Sequence, residues 1–353
     1  MSDEKAGRRA ALDRALQALA AGDSLGEQQV GGAFDAIMRG EATPEEIGAL
    51  LLGLRAQRDG ETAAVVAGVA RALRRAMVTV AADRPGELVD TCGTGGGSVT
   101  TFNISTVAAF VAAGSGVRIA KHGNRSYTSR SGSADVLDAL GIPLELPVAA
   151  LSAVLAETGM VFMFAPQLHP AMRHVAPVRR GLGVPTVMNL VGPLANPAGA
   201  GRQVIGVADP VRLSVVAGAL AALGTIHALV VHGAPGLDEI SPVGPTEVVE
   251  VRGGAERRWT IDPDRLGLGG GTLDELAGGD PADNAALART ILAGRGPRAA
   301  RSAVILNAAG AIYVAGRTAT YPAAVIAATE SLDRGAGIGA LERFRAAIAR
   351  HRL

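Results

Sequence analysis

The segment that most restricts how this chain can fold begins at Glu87-Leu-Val-Asp-Thr-Cys and runs through Gly93-Thr94-Gly95-Gly96-Gly97-Ser98 to Thr101-Phe-Asn103-Ile104-Ser105-Thr106. Leu88 and Val89 read as the end of a short buried strand. Four glycines within five residues forbid a helix there and let backbone N–H groups come close to a ligand. Asn103, Ser105 and Thr106 then open an apolar helix that continues through residues 107–113. Strand, glycine loop and helix start together can hold phosphate by simple means: free amides, the positive end of a helix dipole, and hydroxyls in the first turn. A glycine loop alone is as often a tight turn. Here the polar groups at the helix start favour phosphate.

The same design returns downstream. Residues 117–120 read as a strand that ends at Lys121-His122-Gly123-Asn124-Arg125. A hydroxyl-rich loop follows (Ser126, Thr128, Ser129, Ser131, Ser133), then a helix through Asp135 to Leu140, closed by Gly141. Cations and hydroxyls thus gather where a strand ends, the edge at which open α/β sheets bind ligands. Strand and helix go on alternating: a helix over 146–159, a strand over 160–164, and a basic helix over 168–183 carrying Arg173, Arg179 and Arg180. Periodicity does not say which arginine points inward. The Pro-rich stretch 192–197 is a rigid loop, followed by a strand at 203–207, a helix at 211–223 and a strand at 228–231. Asp238-Glu239 is the only carboxylate pair at a strand's end in this alternating region. Adjacent hard oxygens suit Mg²⁺, which binds through one or two carboxylates plus substrate phosphates; a surface turn is the plainer alternative. Residues 247–251 and 257–261 read as a hairpin around Gly253-Gly254, and 282–350 return to helices.

Residues before about 80 read as three or four helices without a strand. Thr43-Pro44-Glu45-Glu46 carries a capping hydroxyl, a proline at the first helical position and an acid at the third, with Ile47, Leu50, Leu51 and Leu54 at helical spacing. A turn-rich linker at 81–86 separates this helical part (1–83) from an α/β part (84–353), and the helices near 166–185 are expected to pack on the former. At 353 residues, two domains and a large core are possible. Aromatics are only 3%, so the core is built from aliphatic side chains and close helices. The net charge of +1 encodes no general attraction to nucleic acid or membrane. The single cysteine, Cys92, reads as a small buried filler and suits a reducing compartment. A charged N-terminus without a signal-peptide core and the lack of a long apolar run lead to a cytoplasmic expectation.

Taken in order, these motifs resemble the anthranilate phosphoribosyltransferase family of tryptophan biosynthesis, within the nucleoside phosphorylase/phosphoribosyltransferase type. The carriers are Gly93-Thr94-Gly95-Gly96 with Asn103-Ile104-Ser105-Thr106, Lys121-His122-Gly123-Asn124-Arg125, and Ser131-Gly132-Ser133-Ala134-Asp135. His169-Pro170-Ala171-Met172 with Val178-Arg179-Arg180, Gly192-Pro193-Leu194 with Asn196-Pro197, and Gly236-Leu237-Asp238-Glu239-Ile240-Ser241 complete the set. The resemblance implies a small all-helical lobe and a larger α/β lobe with a central, mostly parallel sheet. It implies a homodimer formed through the helical lobe, and transfer of a phosphoribosyl group from 5-phosphoribosyl 1-diphosphate (PRPP) to anthranilate, with Mg²⁺.

By the same resemblance, Lys121, His122 and Asn124 are the catalytic candidates. Gly93, Gly96, Gly97, Thr101, Asn103, Ile104, Ser105, Thr106, Lys121, Thr128, Ser129 and Ser133 would meet PRPP. Gly93, His122, Asn124 and Arg179 would line the anthranilate path, and Ser105, Asp238 and Glu239 would hold the metal. One position departs from the family. Its loop commonly reads Gly-Thr-Gly-Gly-Asp-Gly, whereas this chain has Gly97-Ser98 in the last two places. A pyrimidine nucleoside phosphorylase is the rival enzyme, opposed by the 103–106 and 121–125 runs. A nucleic-acid-binding paralogue is the non-enzymatic rival, and it wants a basic stripe with stacking aromatics that one Trp and three Tyr scarcely supply.

Overall fold

The computed structural model describes residues 2–97, 99–126 and 130–352, with side chains from residue 9 onward. Four helices come first: α1 (Ser2–Ala20), α2 (Glu27–Met38), α3 (Pro44–Ala56) and α4 (Ala63–Ala76). Helix α3 starts as its sequence dictates. The Thr43 hydroxyl accepts the Glu46 N–H at 3.3 Å, the Glu46 carboxylate takes the Thr43 N–H at 2.8 Å, and Pro44 needs no partner.

The alternating region then delivers β1 (Val89–Gly93), α5 (Ile104–Gly114), β2 (Ile119–Gly123), α6 (Ser133–Ala139) and α7 (Val148–Thr158). After β3 (Met160–Phe164) come α8 (Ala165–Leu168), α9 (Met172–Leu182) and α10 (Met188–Val191). Next are β4 (Arg202–Gly206), α11 (Leu213–Ala222), β5 (His227–Gly233) and the hairpin β6 (Thr246–Arg252) and β7 (Ala255–Ile261). The hairpin turns on Gly253 and Gly254, both at positive φ (57° and 82°), as a two-residue turn of matching twist requires. Four helices close the chain: α12 (Pro281–Leu292), α13 (Arg298–Val314), α14 (Tyr321–Asp333) and α15 (Ala336–His351).

The sheet order is β3-β2-β1-β4-β5-β6-β7, with β1 to β5 parallel and the last two antiparallel. The chain builds outward from β1 to β3, then returns to the other side of β1 for β4. That reversal opens a crevice at the carboxyl ends of β1 and β4, where Gly93 pairs with Gly206. Strand alternation divides the core: Val204, Leu229 and Val231 join one apolar cluster, while Ile205, Ala228 and Val230 join the other. Helices α5 and α13 back the first face, with α13 lying across β4, β1 and β5. Helix α11 backs the second, and α4 packs on α11.

Two strands run further than the sequence reading placed them. Parallel pairing carries β1 through Gly93 and β2 through Gly123, beside β4 and β3, so Lys121 and His122 belong to a strand rather than a loop. The ladder is made by backbone groups and tolerates the polar residues that made the segment look like loop. The basic segment 168–183 divides at His169-Pro170 into α8 and α9, and α9 packs on α2 and α3.

Gly206 lets the later segment cross its strand end. A Cβ there would lie 1.6 Å from the Asp238 carbonyl oxygen. Gly206→Ala is expected to lose about 3 kcal/mol of stability in urea unfolding, since the clash is with backbone. An unchanged midpoint would mean that the 237–240 segment moves aside freely.

Candidate active site

At the crevice, the glycine loop and the carboxylate pair meet. The Thr94 N–H donates to Gly206 O at 2.9 Å, and Gly95 and Gly96 turn the chain at positive φ (67° and 79°). This aims the Gly95 N–H at Asp238 Oδ2, 3.0 Å away. A Cβ on Gly93 would lie 2.8 Å from the same oxygen, so the bare strand end makes room for the carboxylate. The Ser105 N–H, in the first turn of α5, donates to Glu239 Oε1 at 3.1 Å. Each carboxylate is therefore held by one amide of the phosphate-type segment.

Lys121 lies buried beneath this turn. Its ammonium donates to the Thr91 carbonyl and to Ser105 Oγ (3.2 Å). Burial lowers its pKa, against the pull of Asp90 and Glu239. Loss of water around the carboxyls raises Asp238 and pushes Glu239 up to about 8, with the Asp238 charge adding to the second shift and Lys121 opposing it. Asp90, buried in β1, accepts the His122 N–H at 3.1 Å and an Asn196 amide hydrogen at 2.8 Å. Burial raises it to about 6, opposed chiefly by Lys121. Asn196 also donates to Ala120 O at 2.8 Å, so one amide side chain joins the Pro-rich loop to β1 and β2. The ring of His122 meets that of His169 with their Nε2 atoms 3.2 Å apart. Burial drives them down to about 3 and about 4, so both are neutral at pH 7 and one donates to the other.

The second loop is held by Asp135, which accepts the Gly132 and Ser126 amides (2.8 and 3.1 Å) and pairs with Arg125 at 2.7 Å. Asn124 O receives the Ala134 N–H and the Ser133 hydroxyl. Asn103 does not cap α5 with its side chain. It donates to Ser131 O at 3.1 Å and accepts from Asn284 at 3.1 Å, tying the two loops and α12 together.

Of the residues marked in the sequence, Gly93, Ser105, Lys121, Asp238 and Glu239 converge, with Gly97 beside them: a Cβ there would stand 3.6 Å from Asp238 Oδ1. Ile104 and Thr106 turn their side chains into the core, and the Thr106 hydroxyl is buried without a partner. Thr101 forms an isolated bridge with Ala277. Arg179 is half-buried while Arg173 and Arg180 are exposed. Cys92 is half-buried rather than enclosed, and its thiol is pushed well up by its surroundings. Thr128 and Ser129 lie outside the described residues. Asp90, His169, Asn196, Gly206 and Asn284 were not marked as site residues. A charge inside an apolar strand was the available signal for Asp90.

The donor set fits Mg²⁺. Two adjacent carboxylates with raised pKa values, next to a serine hydroxyl, crowd negative charge where a hard cation would relieve it. Mg²⁺ binds through one or two carboxylates and completes its shell with substrate oxygens; no cluster of three or more His, Cys, Asp or Glu suited to a metal occurs among the described residues.

Comparison with known proteins agrees with this geometry. Residues 13–77 match the helical bundle domain and residues 85–338 the a/b domain of a glycosyl transferase family. The anthranilate phosphoribosyltransferase of Rubrobacter xylanophilus is 50% identical over 333 residues, covering 94% of this chain and 96% of that protein. The chain belongs to the anthranilate phosphoribosyltransferase family. The family's crystal structure from Thermus thermophilus superposes with a TM-score of 0.89 at 42% identity, covering 95% of this chain and 99% of that one. The Saccharomyces cerevisiae member, solved in complex with PRPP and Mg, gives 0.86 at 27% identity over 97% and 98%. It has also been solved with 4-fluoroanthranilate.

Asn196→Ala would leave Asp90 buried with one donor fewer and cut the tie to Ala120. The expected loss is about 2 kcal/mol in urea unfolding, with near-normal helix content by circular dichroism. A midpoint equal to that of the parent would remove Asn196 from the framework of the site.

Proposed function

We propose that this chain transfers the phosphoribosyl group of PRPP to the amine of anthranilate, releasing diphosphate and forming N-(5-phosphoribosyl)anthranilate, the second step from chorismate to tryptophan. The observation that carries the reading is the double tie of Asp238 to the Gly95 amide and Glu239 to the Ser105 amide at the mouth of the crevice. The yeast relative solved with PRPP and Mg supports it.

In this reading the diphosphate lies over Gly93, Gly96 and Gly97 and the first turn of α5, where Asn103, Ser105 and the backbone around Thr101, Ile104 and Thr106 shape the cradle. The second loop, with Thr128, Ser129 and Ser133, takes the remaining phosphate. Ser105, Asp238 and Glu239 would hold Mg²⁺, whose charge would oppose that growing on the leaving diphosphate. Lys121 adds positive potential from below Ser105, and the α5 amides add theirs without reorganising. An aromatic amine is neutral at pH 7, so the nucleophile needs placement more than a strong base. Asn124 and the neutral His122 orient the amine, the bare Gly93 leaves it room, and Arg179 pairs with the carboxylate. The same reading takes residues 1–83, with the helices near 166–185, as one lobe and 84–353 as the other. The protein then acts as a cytoplasmic homodimer joined through the helical lobe.

The test follows anthranilate fluorescence during turnover with PRPP. Chelation of divalent ions should abolish consumption, and Mg²⁺ should restore it. Arg179→Ala is expected to raise the anthranilate KM by about tenfold or more and the PRPP KM by less than about twofold, the loss of one charge-assisted pair. Equal effects on both constants would remove Arg179 from the anthranilate path. Phosphorolysis of thymidine without anthranilate consumption would transfer the chain to the nucleoside phosphorylase reading.

A further inference from the structure

The carboxylate segment is fastened on both sides by groups that take no part in the contacts above. On one side, Gly233 and Leu237 exchange backbone hydrogen bonds (2.9 and 2.7 Å). On the other, the Ser241 N–H donates to Thr246 Oγ1 at 2.9 Å and its hydroxyl to Ala234 O at 2.5 Å. Between these anchors the fastening comes from a different part of the chain. Asn307, in the middle of α13, accepts the Ile240 N–H on Oδ1 at 3.0 Å and donates from Nδ2 to Ile240 O at 2.9 Å. The amide thus treats Ile240 as a neighbouring strand would, satisfying donor and acceptor together.

The surroundings are built around that contact. Asn307 is 3% exposed, in a helix otherwise made almost wholly of buried apolar residues, and asparagine is a poor helix former. Its second Nδ2 hydrogen returns to Ala303 O at 2.9 Å, so both amide hydrogens are used. One turn on, Gly310 receives the Ile240 side chain: a Cβ there would lie 3.2 Å from Ile240 Cδ1. Ile240 directly follows Glu239, and α13 also packs along α5, whose first turn supplies the Ser105 amide to Glu239. One helix therefore backs both partners of that hydrogen bond.

We infer that Asn307 is a positioning residue for the Asp238–Glu239 pair: by gripping both backbone groups of Ile240 it fixes the spacing of the carboxylates from the Ser105 turn, and with it the affinity for the divalent cation. The inference rests on the reading of that pair as cation ligands. It gives α13 a part in cation binding through the backbone of Ile240.

The experiment measures Mn²⁺ binding to the full chain with PRPP present and anthranilate omitted, by electron paramagnetic resonance, alongside amide hydrogen exchange at Ile240 in the metal-free protein. Asn307→Ala is expected to weaken Mn²⁺ binding by about tenfold, the effect of losing two buried hydrogen bonds, and to speed exchange at Ile240. In turnover it should raise the PRPP KM at low Mg²⁺ and recover at high Mg²⁺, leaving the anthranilate KM in place. Asn307→Asp keeps the acceptor and the shape but loses the donor, and should fall between the two if Asn307→Ala does not fold. Leu306→Ala, equally buried on the same helix, controls for destabilisation: it should lower Tm and leave Mn²⁺ affinity unchanged. Glu239→Gln separates the two claims. If the parent binds no Mn²⁺, or Glu239→Gln binds as the parent does, the cation-ligand reading fails. If both behave as expected and the Asn307 variants bind like the parent, the positioning role is overturned. Loss of affinity in Leu306→Ala equal to that in Asn307→Ala would overturn it too.

Discussion

Two backbone amides, those of Gly95 and Ser105, each donate to one of two adjacent carboxylates, 143 and 134 residues further along the chain. The rest of the crevice serves that arrangement. Adjacent carboxyls with little water around them repel each other, and a site of this kind is tolerable only where donors and cations are fixed nearby. Lys121 is one such cation, itself buried and itself held by Thr91 and Ser105. The reversal of strand order between β1 and β4 brings the partners together, because the connections leaving these two paired strand ends part there and leave room for the later segment. Glycine at 93 and 206 removes the side chains that would otherwise fill the space.

Much of this was legible in the sequence, and the reasons differ from residue to residue. The glycine loop announced itself because its conformational demands are local. Asp238-Glu239 stood out because paired charges at a strand's end are uncommon. The ends of β1 and β2 were less legible, since whether Gly93, Lys121 and His122 extend a strand is decided by the neighbouring strands and not by their own side chains. The roles of Asp90, Asn196 and His169 stayed hidden for a related reason. Each acquires its role through a partner far along the chain: Asp90 from Asn196, His169 from His122. Periodicity could not choose among Arg173, Arg179 and Arg180 either, because the choice depends on where α2 and α3 lie. The Thr106 hydroxyl is the opposite case. Its type and position suggested a ligand contact, yet the helix turns it into the core.

Charge in the interior is handled by two different methods. Around Asp90 the Lys121 charge, with hydrogen bonds from Asn196 and the His122 amide, offsets only part of the cost of burial, and the pKa still rises. Around Glu250, on the far part of the sheet, four donors converge: His227, Arg257, Trp259 and Tyr313. There the carboxylate is lowered despite burial, because side-chain hydrogen bonds outweigh the loss of water. Among the described residues Glu239 has the Ser105 turn and the charge of Lys121 to set against burial and Asp238, and its pKa rises instead. The contrast distinguishes a carboxylate finished by the fold from one left for a ligand to complete.

The second apolar cluster joins Leu12, Phe34 and Leu50 of the opening helices to Val216 on α11 and to Val249 and Val251 on β6. Those opening helices are translated first, while β6 emerges much later. Their aliphatic faces close first on one another, and the part that meets α11 and β6 must wait until most of the sheet has left the ribosome. A delay of that kind invites a chaperone, and it makes the opening bundle a poor candidate for transplantation into another protein.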